Sequence, residues 1–341
     1  MLSSRDRVAT ALRGEEADRV PYCEVYLSRA FAHPLMGWPG ELDHHASFEA
    51  NEFSLDEAKA VAERLGMDNI TYVLRAPIYA DKTEGKGGTL FYGDGYIHTE
   101  ADLAQVQLPD PHDDALYAEA AEFAANKGPY SAWFITRIGI SPTMMSMGIE
   151  DFSLALYDDR PLVERLLDMY VDWVEVVAER ICTLGFDVIV TTDDIAFGQA
   201  LFFSPQVFRE LVYPRFERLA RKITIPWLFH SDGDVSELLD DFVALGIRAI
   251  QPIEPAAMDI REVKRRYGGK LCLCGNVDMD LLTRGTPAEV DETVRGLIRD
   301  IAPGGGYIVT SGNSLAHYVR PENAVAMSEA VRKYGAYPIS L

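Results

Sequence analysis

The stretch Ile223-Thr224-Ile225-Pro226-Trp227-Leu228-Phe229-His230-Ser231-Asp232-Gly233-Asp234 decides the predicted fold. Residues 223–229 form an apolar run that is typical of a strand buried on both faces. A helical pattern begins at Val235, so an imidazole and two carboxylates lie where a buried strand gives way to a helix. Such groups are costly to remove from water without partners. In a barrel of alternating strands and helices, this end of the strands carries the active site.

Strand-like runs alternate with helical patterns along the whole chain. The eight predicted strands are 18–26, 69–74, 130–136, 187–192, 223–229, 249–252, 271–274 and 307–311. This alternation predicts an α/β protein, a single (β/α)8 TIM barrel over residues 1–341 with an N-terminal helix at 4–13. A doubly wound sheet is the alternative, but no Gly-x-Gly-x-x-Gly turn follows the first strand.

Residues 77–110 interrupt the alternation. Thr89–Tyr92 and Tyr96–Thr99 flank Gly93-Asp94-Gly95, which is a hairpin signal. We therefore expect a β-hairpin insertion after strand two, lying with the loop-like segment 27–47 over the carboxyl ends of the strands. Aromatic side chains in these segments are candidates either for a substrate pocket or for ordinary packing: Phe31, Trp38, Phe91 and Tyr92.

The composition narrows the class of function. The chain has 32 Lys and Arg against 53 Asp and Glu, a net charge of −21, which argues against nucleic-acid partners and anionic membrane surfaces. No apolar window approaches the roughly 18 residues that span a bilayer. We see no export signal, and the four cysteines form no disulfide framework, so we expect a cytoplasmic protein.

Polar residues recur at the predicted carboxyl ends of the strands. They are Glu24, Thr136, Arg137, Asp193, Asp194, His230, Asp232, Asp234, Gln251, Glu254, Cys274, Asn276, Asp278, Ser311, Asn313 and His317. Glu24 carries the clearest signal, because a carboxylate in an apolar strand needs a partner or a metal. Others have structural alternatives: Asp234 as a cap of the next helix, Asp232 in a structural role beside it, Asn276 as a partner of the loop backbone and Cys274 as a small core residue.

Two arrangements of these residues fit known chemistry. Imidazole, thiolate and carboxylate together suit zinc, with His230, Cys274 and one of Asp194, Asp232 or Glu24 as ligands. Alternatively, Asp194 acts as acid or base while Arg137 holds a substrate carboxylate in a bidentate pair. The residues alone leave both arrangements open.

Several motifs resemble the uroporphyrinogen decarboxylase superfamily, which also holds corrinoid- and coenzyme-M-type methyltransferases. The resemblance covers nearly the whole chain and rests on Ser4–Gly14 with Asp18–Pro21, Asp193-Asp194 with Ser204-Pro205, Gly275–Asp278, Gly285–Pro287 and Pro321–Asn323. It implies the same barrel fold, and a homodimer is one expectation that comes with it.

Departures from the decarboxylase pattern favour the methyltransferase branch of the superfamily. True uroporphyrinogen decarboxylases carry an Arg-rich Leu-Arg-Gln-Ala-Gly-Arg segment after strand one, whereas 26–31 here contains only Arg29. A substrate with eight carboxylates would leave many of them unpaired. The methyltransferase branch uses a His-x-Cys and a later Cys as zinc ligands. His230 matches this pattern, but Asp232 and Gly312-Asn313 stand where thiolates are usual.

The resemblance therefore implies a methyltransferase of the O-demethylase type. It would move a methyl group from a small donor, such as a methoxylated aromatic compound, to a corrinoid on a partner protein, with zinc as Lewis acid. The predicted residues are Glu24, Asp194, Asp232 and Asn276 for catalysis, Tyr26, Arg137, Asp193, Asn313 and His317 for substrate binding, and His230, Cys274 and Glu24 for the metal. The alternatives are a cofactor-free decarboxylase and a non-catalytic binder of a corrinoid or tetrapyrrole.

Overall fold

A curled parallel sheet is the centre of the computed structural model, which describes residues 2–39, 51–85 and 90–341. The strands are β1 Asn69–Val73, β2 Ala80–Glu84, β3 Leu90–Gly95, β4 Ser131–Thr136, β5 Val188–Thr192, β6 Ala196–Phe197, β7 Ala200–Leu201, β8 Trp227–His230, β9 Ala249–Gln251, β10 Cys272–Cys274 and β11 Tyr307–Ile308. Seven of them form one sheet in the order β1-β4-β5-β8-β9-β10-β11, and its neighbouring strands pair in parallel.

Helices precede, separate and follow these strands along the chain. They are α1 Ser4–Leu12, α2 Arg29–Met36, α3 Leu55–Leu65, α4 Ala118–Ala125, α5 Ile140–Met147, α6 Ile149–Asp158, α7 Arg160–Ile181, α8 Pro205–Val207, α9 Tyr213–Ala220, α10 Leu239–Ala244, α11 Ile260–Tyr267, α12 Met279–Arg284, α13 Pro287–Ile301 and α14 Pro321–Tyr334. Ser54 and Thr286 begin α3 and α13 with capping boxes, in which the side chain and the third helical residue satisfy each other's backbone N–H. None of the helices in the described ranges is both long and apolar enough to cross a bilayer.

The predicted first strand forms isolated bridges rather than a continuous ladder. Its Cys23 N–H donates to Val309 O at 3.1 Å, and its Tyr22 carbonyl accepts from Asp68 N at 2.7 Å. The segment therefore connects the two edges of the sheet, beside β11 and β1. Pro21 has no N–H to donate, which shortens any ladder here. The barrel prediction is thus confirmed in part, as an α/β fold with a curled sheet of seven parallel strands.

Apolar side chains fill the concave face of the sheet. Because side chains alternate along a strand, every second residue points inward. The inward set is Cys23, Val25, Val73, Trp133, Ile135, Val188, Val190, Leu228, Ala249, Cys272, Cys274 and Ile308, joined by Val8, Ala11 and Leu12 of α1. Arg5 N of this helix donates to Pro129 O, just before β4, so α1 covers the amino ends of the strands.

The insertion after β1 differs in detail from the predicted hairpin. β2 and β3 pair antiparallel, and Gly93-Asp94-Gly95 lies within β3 instead of forming the turn, so the predicted turn position is wrong. A Cβ on Gly95 would lie 2.4 Å from Ser146 O, which explains the glycine by close packing on the end of α5. Residues 86–89, between the two strands, lie outside the described ranges.

The predicted loop 27–47 contains a helix. Ser28 caps α2, and Gly37, with φ of 62°, ends it. The sequence does not predict α2, because it contains Pro34 and proline is expected to end helices. Residues 40–50 of this segment lie outside the described ranges.

Candidate functional site

A small cavity lies at the carboxyl ends of the strands, where the inward-facing positions continue beyond the apolar layer. Its volume is about 190 Å³. The lining residues are Val25, Tyr26, Arg75, Ile78, Tyr92, Arg137, Ser141, Met145, Thr192, Asp194, His230, Asp232, Asn313 and Ser314. Sheet register aligns Thr192 with His230 and His230 with Gln251, so these three residues lie at one level.

An imidazole and two carboxylates converge in this cavity. His230 Nε2 lies 3.7 Å from Asp194 Oδ1 and 3.7 Å from Asp232 Oδ1. One ligand atom from each residue falls within 4.8 Å of the others. A tetrahedral zinc with bonds of about 2.0–2.2 Å holds its ligand atoms roughly 3.3–3.6 Å apart. Small side-chain movements therefore bring these three groups, hereafter the His–Asp–Asp cluster, to zinc-binding geometry.

The hydrogen bonds of His230 determine which ring nitrogen faces the carboxylates. Its Nδ1 contacts the Gln251 Oε1 atom. The Gln251 amide is itself oriented, since its Nε2 donates to Asn313 O at 3.0 Å. A carbonyl oxygen can only accept, so the proton of the neutral imidazole lies on Nδ1. The lone pair of Nε2 then points toward the acids, as a metal ligand requires.

Asp232 has one oxygen in use and one without a partner. Its Oδ2 accepts from Asn313 Nδ2 at 2.6 Å, whereas its buried Oδ1 has no hydrogen-bond donor in the described part of the chain. Burial raises the pKa of Asp232 to about 6, and the adjacent Asp194 and Glu254 carboxylates add to the rise. A cation would satisfy the unpartnered oxygen and remove this penalty.

Gly233 permits the backbone path that carries Asp232. Its φ is +76°, and a Cβ there would lie 2.7 Å from Phe197 N. The Gly233 N–H donates to Glu254 Oε2 at 2.9 Å, and Asp232 N donates to Asp194 Oδ1 at 3.0 Å. The loop after β8 is therefore held by backbone contacts as well as by side chains.

Two arginines add positive charge to the same cavity. Arg137 is 9% exposed, and its Nη1 has no acceptor among the residues that the structure describes. Burial and the Arg137 charge lower the pKa of Arg75 to about 9. Arg75 was not predicted, nor were Thr192 and Gln251 assigned a role. Each follows an inward-facing strand residue by two positions, and this period of two is the signal that finds them.

The predicted metal ligands do not come together. Glu24 alternates with the inward-facing Cys23 and Val25, so it points away from the cavity, where it accepts from Ser311 N at 3.1 Å and Ser311 Oγ at 2.6 Å. Cys274 lies in the apolar layer on the concave face, and burial raises the pKa of its thiol. Of the predicted set of His230, Cys274 and Glu24, only His230 belongs to the His–Asp–Asp cluster, the group that could hold a metal ion among the described residues.

Other predicted residues divide between the cavity and its surroundings. Tyr26, Arg137 and Asn313 line the cavity. Asp193 is buried and accepts from the N–H groups of Ile138, Gly139 and Ser141, at 2.5–3.1 Å, so it holds the start of α5.

Asn276 and His317 lie outside the cavity. Asn276 donates to Ile253 O at 2.7 Å and lines a separate cleft beside α11 and α13, while the His317 ring stacks edge-on against Tyr318. Among the four candidate aromatic residues, Tyr92 lines the cavity, Phe31 is buried in the core, Trp38 packs against Phe53 and Arg29, and Phe91 is exposed.

Comparison with known proteins identifies the class of this chain. Residues 88–334 match the uroporphyrinogen decarboxylase (URO-D) family, and the chain belongs to that family. A uroporphyrinogen decarboxylase from Pseudoalteromonas translucida is 34% identical over 79 residues, which span 23% of this chain and 22% of that protein.

Methyltransferases are also among the similar proteins. A methylated-thiol–coenzyme M methyltransferase from Methanosarcina mazei is 26% identical over 44% of this chain and 40% of that protein. A solved methyltransferase from Methanosarcina mazei superimposes with a TM-score of 0.77 and 18% identity, covering 98% of this chain and 99% of that one. The fold is therefore shared along almost the full length of both chains.

Proposed function

We propose that this protein is a methyltransferase that moves a methyl group from a small donor to a corrinoid carried by a partner protein. Family membership and the similarity to the Methanosarcina mazei methyltransferase support this class of reaction. The observation that carries the proposal is the His–Asp–Asp cluster in the cavity. Neither a binder of tetrapyrroles nor a structural protein would need three side chains of the metal-binding type in one cavity.

The chemistry of the donor atoms favours zinc and an oxygen-linked methyl group. Imidazole and carboxylate are both zinc ligands, and three protein ligands leave one position open for a substrate. When bound, zinc would polarise the donor oxygen as a Lewis acid. Asp194 and Asp232 are harder ligands than thiolates, which suits an ether oxygen better than a thiol. We therefore place this chain with O-demethylating enzymes.

The surrounding residues hold this arrangement in place. Gln251 fixes the ring of His230, and Asn313 holds the Asp232 carboxylate. In the overall reaction the carbon–oxygen bond of the donor breaks, and its electron pair stays on oxygen. The methyl carbon bonds to the reduced cobalt of the corrinoid, and the two cobalt electrons form that bond.

Methyl transfer can be measured directly. We expect the zinc-loaded full chain, mixed with methoxylated aromatic compounds and cob(I)alamin, to produce methylcobalamin and the demethylated product. The His230→Ala variant should lose bound zinc and at least 100-fold in rate, because removing a ligand disrupts the site. His112→Ala is the matched control, since His112 is exposed and outside the cavity. A fully active metal-free protein would contradict the proposal.

A decarboxylase of a small aromatic acid is the second candidate. Two observations favour it: no residue in the described ranges accepts a hydrogen bond from Arg137 Nη1, and family relatives are named uroporphyrinogen decarboxylase. This activity would release carbon dioxide without metal or corrinoid. A decarboxylase would keep its turnover after metal chelation and after the His230→Ala substitution, whereas the proposed methyltransferase would lose it.

A further inference from the structure

Arg137 is a buried cation, and its Nη1 atom has no hydrogen-bond acceptor in the part of the chain that the structure describes. It follows β4 at an inward-facing position and lines the cavity that contains the His–Asp–Asp cluster. Only 9% of the residue is exposed, and no described residue accepts a hydrogen bond from its Nη1 atom. A buried guanidinium normally has an anionic or carbonyl partner, because its desolvation is otherwise uncompensated. The nearby Asp193 carboxylate attracts Arg137 but hydrogen-bonds the backbone at the start of α5 instead, which leaves a ligand to supply the missing acceptor.

The charges around the cavity lead to the same conclusion. Among the described residues that line it are two arginines, Arg75 and Arg137, and two carboxylates, Asp194 and Asp232. A divalent cation bound by both carboxylates would cancel their charge, so the Arg137 guanidinium would face the cavity with the buried Asp193 carboxylate as its nearby anion. Arg137 already disfavours the charged form of Arg75. Loading the His–Asp–Asp cluster with a divalent cation would therefore make the cavity more favourable for an anion.

We propose that the substrate of this cavity carries a carboxylate, which pairs with the Arg137 guanidinium while the methyl-bearing oxygen faces the His–Asp–Asp cluster. A guanidinium matches a planar carboxylate through two parallel hydrogen bonds. Arg75 strengthens the local positive potential. The cavity that the described residues form, about 190 Å³ in volume, has room for a small molecule with one acidic group. This inference rests on the proposed function and specifies its substrate class.

Calorimetric titration of the full chain with 4-methoxybenzoate and its neutral isostere 4-methoxybenzamide tests the proposal. We expect the carboxylate to bind at least tenfold more tightly than the amide. Arg137→Gln should lose that preference, and Arg137→Lys should retain only part of it, because an ammonium lacks the bidentate geometry. Arg284→Gln is the matched control, since the Arg284 side chain is 78% exposed and pairs with Asp280.

Titrations of the metal-free and the zinc-loaded protein distinguish a failure of this inference from a failure of the proposed function. Each titration is made on metal-free and on zinc-loaded protein, because a carboxylate can also bind zinc directly. A preference that requires zinc but not Arg137 would overturn the inference while leaving the zinc site intact. A preference that depends on Arg137 in protein that binds no zinc would support the anion site and contradict the proposed function.

A purely structural role for Arg137 has a different signature. Because no described residue accepts a hydrogen bond from Arg137 Nη1, Arg137→Met should have a melting temperature equal to or above that of the wild type. A melting temperature lowered by 5 °C or more would overturn the inference, because Arg137 would then hold the fold. If the variants do not fold, the wild-type comparison decides, since equal affinity for the acid and the amide refutes a carboxylate site.

Discussion

Gln251 controls which nitrogen of His230 is available to a metal. Its Oε1 contacts Nδ1, and its own amide is held by the Asn313 carbonyl. We expect Gln251→Leu to weaken zinc binding by about 10- to 100-fold, the usual effect of losing an outer hydrogen bond to a ligating histidine. Competition with a fluorescent zinc chelator measures this change.

The matched variant for this prediction is Gln251→Glu. It keeps an acceptor for Nδ1, so it should bind zinc as tightly as the wild type or more tightly. Equal zinc affinity in the Leu and wild-type proteins would show that His230 is oriented without Gln251, or that it is not a ligand.

Because the Glu24 carboxyl group is buried, we expect the free energy of unfolding to depend on pH. Burial raises its pKa to about 8, against an ordinary value of 4.5. The unfolded chain therefore releases this proton at lower pH than the folded chain does. The contribution of Glu24 to the free energy of unfolding is therefore greatest below about pH 4.5. It is lost as pH rises toward 8, at up to about 1.4 kcal/mol per pH unit.

Urea unfolding at pH 5, 6, 7 and 8 tests this prediction. In the Glu24→Gln variant the side chain stays neutral and can still hydrogen-bond Ser311, so its stability should fall less over this range. Glu179→Gln is the control, because the Glu179 side chain is 62% exposed. Parallel pH profiles for the wild type and Glu24→Gln would show that Glu24 is ionised in the folded protein.

At the scale of elements, the loop after β8 depends on one glycine. Gly233→Ala places a Cβ against Phe197 N in a backbone conformation that L residues rarely adopt. We expect a loss of about 1–3 kcal/mol in the free energy of unfolding and weaker zinc binding, since the loop carries Asp232.

Gly198→Ala is the control for this effect. Gly198 also has positive φ, +55°, but a Cβ there meets nothing within 4 Å. Both variants should share the conformational cost, and only Gly233→Ala should move Asp232. Equal zinc affinity in the two variants would show that the backbone conformation at Gly233 does not determine zinc binding.

Strand periodicity explains both the successes and the failures of sequence reasoning about these elements. It locates His230 and Arg137 at the strand ends, because their apolar neighbours identify the strands. It misplaces Glu24, since Tyr22, Cys23, Val25 and Tyr26 make both faces of that segment apolar. Which face points inward depends on pairing with distant residues such as Val309, and sequence alone does not define that pairing.

The depth of a side chain in the core and its close tertiary contacts are equally hard to predict from the sequence. Cys274 ends its strand, as predicted, but that short strand places its thiol in the apolar layer of the concave face. The glycines at 93 and 95 resemble a turn, whereas Gly95 serves close contact with the backbone at the end of α5. Both errors concern tertiary neighbours rather than local conformation.

At the scale of the whole molecule, the curled sheet assembles one cavity from residues far apart in sequence. Arg75 follows β1, Asp194 follows β5 and Asn313 follows β11. The apolar layer and α1 fill the space below, so the polar side chains have a rigid base. The position and electrostatics of the cavity thus follow from strand order and from the alternation of side chains.

Anomalous X-ray scattering at the zinc edge, from crystals of the zinc-loaded full chain, tests the central claim most directly. We expect one strong peak in the cavity at about 2.0–2.2 Å from His230 Nε2 and from one oxygen each of Asp194 and Asp232. A cavity without a peak, or a zinc bound by Cys274 or Glu24 instead, would contradict the account.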